Sequence, residues 1–501
     1  MIRRRTTPRT QISEPLKKKA GQEEKGGEED MITRLPEDIC CHILTFLPIT
    51  HAVATSVLCK KWKNLWTSAS FTNLELDDRL LLRRESSKTM SDYASLFATF
   101  VINVLRLINL PCIRKLAFFC SDHKNLNCIN SWLLRACTSN TVEVEIRISY
   151  TENPIELPQI LYVSTSLLVL KLNGNIRPDF PPDCVCFPSL KVLWIKVYSE
   201  DGISFTEKLL HICRVLEDFF IKGDILNKKR ELVLKVKSNT LKRLKIECLV
   251  HNFNADIDYS FAVDCPNLKN LELCDYFLAK YRITAGLKVL DYEKICVGDP
   301  SADYGKLELY FEVNHSNRAF ELLEALSNVK SLSLSGGTTG AVGYSYETRV
   351  NVEEIALQIR LRNFVVRFTF LACLELVFCT CESWNLLALL LHSSPKLQYL
   401  ILRIDWRLKR DFAFRRLLYK TPECLALCLQ EIKILGFEGA LYELTVVEFL
   451  LAHAEVLQNM RIQVQEVTPD AEMRFRDQML ENPRASEACQ VEMISTTKME
   501  N

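Results

Sequence analysis

The feature that most constrains this chain is a six-residue pattern, L-x-x-L-x-L, that returns at intervals over much of its length. It begins at Leu167 (LLVLKL), Leu190 (LKVLWI), Leu216 (LEDFFI), Leu241 (LKRLKI), Leu268 (LKNLEL) and Leu287 (LKVLDY). Successive starts lie 23, 26, 25, 27 and 19 residues apart, nearly all within the roughly 20–29-residue period of strand-based solenoid repeats. Further copies start at Val329 (VKSLSL), Leu371 (LACLEL) and Leu397 (LQYLIL), with weaker ones at Ile113, Tyr304 and Val352. The fourth and sixth positions are two residues apart, so they share one face of a strand. No single unit can bury them, and stacking the units can. The pattern therefore predicts an α/β fold, a curved solenoid with a parallel sheet on its concave side. Regular repeats of this kind carry an asparagine three residues past the last leucine. Asn175 fits, but the equivalent positions hold Tyr198, Asp224, Leu249 and Tyr276. The expected solenoid is irregular.

Composition sets the outer limits. The 501 residues are 48% apolar and 25% charged, with a net charge of +1. That is core material for roughly two to four domains, with no global field to steer nucleic acid or anionic membrane. No apolar run approaches the roughly 18–20 residues of a membrane span, and MIRRRTTPRT has no apolar segment behind it to make a secretory signal. The 20 cysteines include no CxxC. Their tightest pairs are Cys40-Cys41, Cys184/Cys186 and Cys379/Cys381, which lack zinc-site spacing. Such cysteines read as small buried hydrophobes in a reducing compartment, so the expected location is nucleus and/or cytoplasm. No phosphate-cradling glycine loop, metal cluster or nucleophile–base pair is present in the sequence pattern. The expectation is a non-catalytic protein without metal or cofactor.

Residues 1–30 are polar, with basic clusters at Arg3–Arg5 and Lys17–Lys19, and are expected to be a disordered tail. The clusters suit a nuclear address or a solvated tail, and without interleaved aromatics they do not suggest nucleic acid. Residues 31–78 are compact and helical. Pro36, Glu37 and Asp38 suit the first turn of a helix, Ile39, Ile43 and Leu47 recur at i, i+4 and i+8, and Pro48 closes it. A second helix is expected with Thr50 as N-cap and Val53 and Val57 on one face. A third pairs Trp62 with Trp66 around Leu65. Residues 79–110 form a connecting helix and 111–410 the repeats. In 411–495, LQEIKILGFEG continues the ladder through Leu429, Ile432 and Ile434. LYELTVVEFLLAHAEVLQNM follows as an amphipathic helix and RIQVQ as a strand, together a cap on an open sheet edge.

The segment LPEDICCHILTFLPITHAVATSVLCKKWKNLW, from Leu35 to Trp66, resembles the F-box, particularly its plant form. The repeats resemble the leucine-rich repeats that follow it in a large plant family. CLQEIKILGFEG, VVEFLLAHAEVLQNMRI and NPRASEAC resemble the FBD domain that closes those proteins. The departures are small: Cys40 and Cys59 stand where a larger aliphatic and a serine are usual. The resemblance implies a substrate-recognition subunit of a Skp–cullin–F-box (SCF) E3 ubiquitin ligase. Such a chain binds a Skp-type adaptor, and through it a cullin, while another region recruits a protein substrate. Carried over, the adaptor surface would use Leu35, Pro36, Ile39, Ile43, Leu44, Leu47, Pro48, Val53, Val57, Trp62, Leu65 and Trp66. A unit of some 40 residues is near the lower limit of independent folding, so its surplus apolar surface needs a partner, and some of these residues must be core rather than interface. The alternative is a leucine-rich-repeat scaffold that binds protein partners without ubiquitin chemistry.

Positions 5 and 7 of each repeat face outward on the concave sheet. In order they read Lys171, Asn173, Trp194, Lys196, Phe220, Lys222, Lys245 and Glu247, then Glu272, Cys274, Asp291 and Glu293. Aromatic anchors ringed by charge have the composition of binding hot spots. Lys171, Trp194, Lys196, Phe220, Lys222 and Lys245 are thus the candidate substrate residues, and the basic strip suggests a partner of acidic character.

Overall fold

The computed structural model describes residues 34–82, 90–121, 126–138, 140–149, 155–177, 186–198, 200–224, 231–249, 258–275, 279–284, 291–297, 313–339, 366–378, 383–404, 421–465, 473, 475, 477 and 482–495. The expected tail at 1–30 and the weak repeats at Tyr304 and Val352 lie outside these residues.

A single 15-stranded sheet dominates, every pairing in it parallel. It starts at Asn73–Asp77 and ends at Gln490–Ser495, with neighbours following chain order once side strands are set apart. Parallel neighbours need a crossover, so each strand is followed by a return segment on the other side. The inward ladder is apolar on most of its rungs. Leu74, Leu116, Val144, Leu170, Leu193, Phe219, Leu244, Leu271, Leu332, Leu374, Leu400, Ile432 and Met460 are 0–1% exposed. Burying each such side chain contributes about 1.5–3 kcal/mol, gained only when the neighbouring rung is present.

Helices fill several of the crossovers between these strands: Met90–Leu107, Leu126–Ala136, Glu200–Ile212, Val313–Ala325 and Ser383–Ser393. Trp132 wedges between Phe97 and Phe118, with ring centroids 5.8 and 5.9 Å away. In the middle the helices give way to a second parallel sheet of Glu231–Lys237, Asp258–Asp264 and Lys280–Ile283. Helix Glu200–Ile212 packs against its first edge strand and Val313–Ala325 against its last. Both open edges are thereby covered, which protects them from pairing with other chains.

The repeats begin earlier than the leucine pattern indicates. Phe71, Leu74 and Leu76 form the first rung directly after the helical module. The helix Met90–Leu107 is the return segment between rungs one and two rather than a connector ahead of the solenoid. Thr141, Val144 and Ile146 build a further rung with threonine at the first position. The register also corrects the unit assigned to Leu287. Leu271 and Leu273 pair with Glu293 and Ile295, which places Lys294, not Asp291 or Glu293, in the outward row. The fourth position of this rung is Glu293, three residues later than read.

At the C-terminal end, Glu431–Phe437, Asn459–Val464 and Gln490–Ser495 extend the same sheet by three strands. The helix here is Leu441–His453, and it is not amphipathic. Leu444, Val446, Val447, Leu450 and Leu451 are buried around it, and Leu441 and Ala452 are its only exposed residues. It is sandwiched, so both flanks are apolar.

Its buried acid, Glu443, is 1% exposed. Glu443 Oε2 accepts hydrogen bonds from the backbone N–H groups of Glu438, Gly439 and Ala440 at 3.0, 2.8 and 3.1 Å. Burial pushes its carboxyl up to about 7, against the pull of those three donors. A folded value above the ordinary 4.5 means that the native state holds this proton more tightly than the unfolded chain. Its stabilising contribution is complete below 4.5 and is lost as pH rises through about 7. Glu443→Gln should remove that slope. Between about pH 5 and pH 8, the melting temperature of the natural protein is expected to fall by a few degrees relative to the variant, as followed by circular dichroism.

Candidate protein-interaction sites

The N-terminal module is built on helix Glu37–Thr45, which divides its apolar residues between two faces. Cys40 and Leu44 point inward at 0% exposure, whereas Ile39 and Ile43 are 47% and 39% exposed. Phe46, just past the helix, continues the outer stripe at 74%. The second helix, Ile49–Ala54, anchors through Ile49 and Ala52, and Pro48 occupies its N-cap. Thr50 is inside the helix instead, and its hydroxyl is buried with no hydrogen-bond partner among the described residues. Val57 and Leu58 follow, 87% and 59% exposed. The third helix is only Leu65–Ser68, preceded by turns from Lys60 to Asn64.

The twelve residues carried over for the adaptor surface therefore separate. Leu44, Trp62, Leu65 and Trp66 are 0–7% exposed; they belong to the core, together with Ile49 and Phe71. Pro36, Ile39, Ile43, Pro48 and Val57 are exposed, and Leu35, Leu47 and Val53 are half-buried. Lys61 Nζ and Cys40 Sγ both donate to the Leu35 carbonyl, fixing the entry to the first helix. Phe46 and Leu58 join the outer surface although the repeat-style spacing of the helix did not single them out. Their signal was adjacency: each extends an exposed apolar run by one step. Ser56 Oγ and Trp62 Nε1 are also buried without a partner among the described residues.

The second site is the outward face of the large sheet. Strand register sets Lys171, Trp194, Phe220, Lys245, Glu272 and Lys294 side by side in one row. Asn173, Lys196, Lys222 and Glu247 form the next row. All six candidate substrate residues thus lie on one contiguous patch. The cations do not stand alone, however. Lys171 Nζ is 2.8 Å from Glu143 Oε1, Lys222 is paired with Glu247, and Lys245 Nζ is 3.2 Å from Glu272 Oε2. Lys196 Nζ sits 4.5 Å from the Tyr198 ring centroid. Burial opposes ionisation of Glu143, yet hydrogen bonds from Lys171 and Lys115 outweigh it and hold its carboxyl below the usual carboxylate range. At Lys171, Lys222 and Lys245 the strip that reads as basic in sequence is neutralised by a carboxylate on a neighbouring rung.

Among the described residues, Cys40, Cys137, Cys213 and Cys424 are free thiols, several of them deep. Burial pushes the thiols of Cys137, Cys213 and Cys424 up to about 12. For Cys41, burial and then the neighbouring Asp38, Cys40 and Glu37 act in the same direction. Each of these thiols is held away from the thiolate form that nucleophilic chemistry requires.

Comparison with known proteins agrees with this geometry. A family model for the F-box domain matches residues 32–74, and one for FBD matches residues 420–462. An F-box/FBD/LRR-repeat protein of Arabidopsis thaliana is 27% identical over 485 residues, covering 91% of this chain and 98% of that protein. An F-box/LRR-repeat protein of the same plant is 30% identical over 322 residues, covering 64% of this chain and 81% of the relative. A third, a putative F-box/LRR-repeat protein of Arabidopsis thaliana, is 30% identical over 377 residues, and this chain spans 55% of its length. The fold and its two end modules define a leucine-rich-repeat protein bearing an F-box. The chain belongs to the plant F-box/LRR-repeat/FBD family.

Proposed function

We propose that this protein is the substrate-recognition subunit of an SCF-type ubiquitin ligase. In this reading its F-box binds a Skp-type adaptor, which connects it to a cullin, and its repeats hold a protein substrate. The observation that carries the reading is the exposed stripe of Ile39, Ile43, Phe46, Val57 and Leu58 on a module matching the F-box. Large apolar side chains concentrated on so small a unit mark a protein-binding surface. Thr50 Oγ1, Ser56 Oγ and Trp62 Nε1, buried without a hydrogen-bond partner among the described residues, fit a module that is not complete by itself. In this reading the role is that of a receptor and not of a catalyst, and the protein works in the nucleus and/or cytoplasm.

The test is co-expression of the full chain with a plant Skp-type adaptor, followed by size-exclusion chromatography. Co-elution as one complex is the expected result. If the intact, folded chain elutes without the adaptor, the protein is a repeat scaffold with no place in the ligase.

A further inference from the structure

The outward sheet face carries more information than its candidate residues alone, and this inference rests on the proposal that the face holds a substrate. Four half-buried apolar side chains, Val169, Val192, Trp194 and Phe220, occupy adjoining positions on three consecutive strands. Around them stand four ion pairs. Lys171 is paired with Glu143 on one side, and Lys222 with Glu247 and Lys245 with Glu272 on the other. Arg243 is bound through two nitrogens to the buried carboxylate of Asp218. The fourth lysine of the strip, Lys196, lies over Tyr198, whose hydroxyl donates to Asn173 Oδ1 at 2.7 Å.

This arrangement decides what the patch can recognise. At Lys171, Lys222, Lys245 or Arg243 an acidic ligand would have to take a cation from a carboxylate that already holds it at hydrogen-bonding distance, and at Lys196 it would compete with the Tyr198 ring. Such an exchange trades one pair for another and brings no net Coulomb gain. Removing water from the aromatic and valine surface requires no such exchange, and an aromatic centre with a polar rim is the arrangement of a binding hot spot.

We infer that the platform formed by Val169, Val192, Trp194 and Phe220 takes an uncharged apolar segment of a protein substrate, its ring of paired charges serving as rim and not as bait. The partner is thus an aromatic or branched-aliphatic peptide stretch without a requirement for acidic residues.

The test is selection of a random peptide phage library on the immobilised full chain, with adaptor binding read separately by chromatography so that either failure is visible alone. Retained peptides are expected to be enriched in aromatic and aliphatic residues, with Asp and Glu at or below library frequency. Their affinity should change less than about threefold between low and high salt, since Coulomb attraction is screened and apolar contact is not. Trp194→Ala with Phe220→Ala should weaken them by about tenfold or more. Trp194→Phe, a milder change on the same half-exposed face, should restore most of the affinity and guards against misfolding of the double variant. Enrichment of acidic peptides, salt-sensitive binding, or equal retention by the Ala variant would each overturn the inference. So would a selection that retains nothing above that variant.

Discussion

Changing Ile43 and Val57 together to Asp is expected to abolish co-elution with a Skp-type adaptor while leaving the protein folded. Both side chains are exposed, 39% and 87%, so neither substitution opens a cavity or buries a charge. Surface changes of this sort alter stability by about 0.5 kcal/mol or less each. At the interface the effect is of a different size. A docked partner would have to dehydrate two carboxylates with no cation aimed at them, and truncating hot-spot residues alone costs about 2 kcal/mol or more. A hundredfold loss of affinity corresponds to about 2.7 kcal/mol, and at least that much is expected by isothermal titration calorimetry. Leu44→Ala provides the contrast. Leu44 is 0% exposed, and a buried leucine-to-alanine change costs about 2–5 kcal/mol through the cavity it leaves. That variant should lower the melting temperature, whereas the double Asp variant should not. Retained adaptor binding by a folded Ile43→Asp, Val57→Asp protein would move the contact to another part of the molecule.

The second large effect is expected at Gly436. It interrupts the strand Glu431–Phe437 with φ of 78°, at the point where the pairing to the next strand slips between Leu435 and Phe437. A left-handed conformation costs a non-glycine residue about 1–2 kcal/mol. Space is the greater obstacle. A methyl group on this α-carbon would run into the backbone carbonyl oxygen of Ile404 on the preceding strand, and a backbone atom in a paired strand cannot rotate aside. Gly436→Ala is therefore expected to destabilise the C-terminal part by about 3 kcal/mol or more. Hydrogen exchange should report it as loss of protection in Glu431–Phe437, Asn459–Val464 and Gln490–Ser495, with strands from Asn73 to about Ile295 unaffected. A variant with unchanged exchange in those three strands would show that the sheet can absorb the collision.

What could be read from sequence followed the strength of the repeating signal. Leucines at 0–1% exposure, such as Leu190, Leu241 and Leu371, start units because the same steric demand returns at every rung. Phe71 and Thr141 fill that position with other residues, so their rungs were invisible to a leucine pattern. At Leu287 the chain offers two leucines three apart, and Glu293 falls at a position where its neighbours Leu271 and Leu332 are apolar; the wrong leucine was the better match. In the F-box the difficulty was geometric. Ile39 and Cys40 are adjacent and both apolar, yet one lies outside and the other inside, because a short helix with apolar residues on two faces does not declare which face meets its own core. The ion pairs on the sheet face depended on pairing between residues about 25 positions apart, such as Lys222 with Glu247. Each lysine can be found in the sequence, but its partner is set only by the register.

The sheet begins at Asn73, within ten residues of Trp66, and helix Ile49–Ala54 packs on that first strand. The helical module thus runs directly into the first rung and packs on it. Trp194 sits on the fifth strand, four steps of about 4.8 Å, or roughly 19 Å, from the first. The solenoid acts as a gauge block: whatever rests on Trp194 is presented at a fixed stand-off from the docking module, and adding or deleting one whole rung between them would shift that stand-off by a single strand spacing.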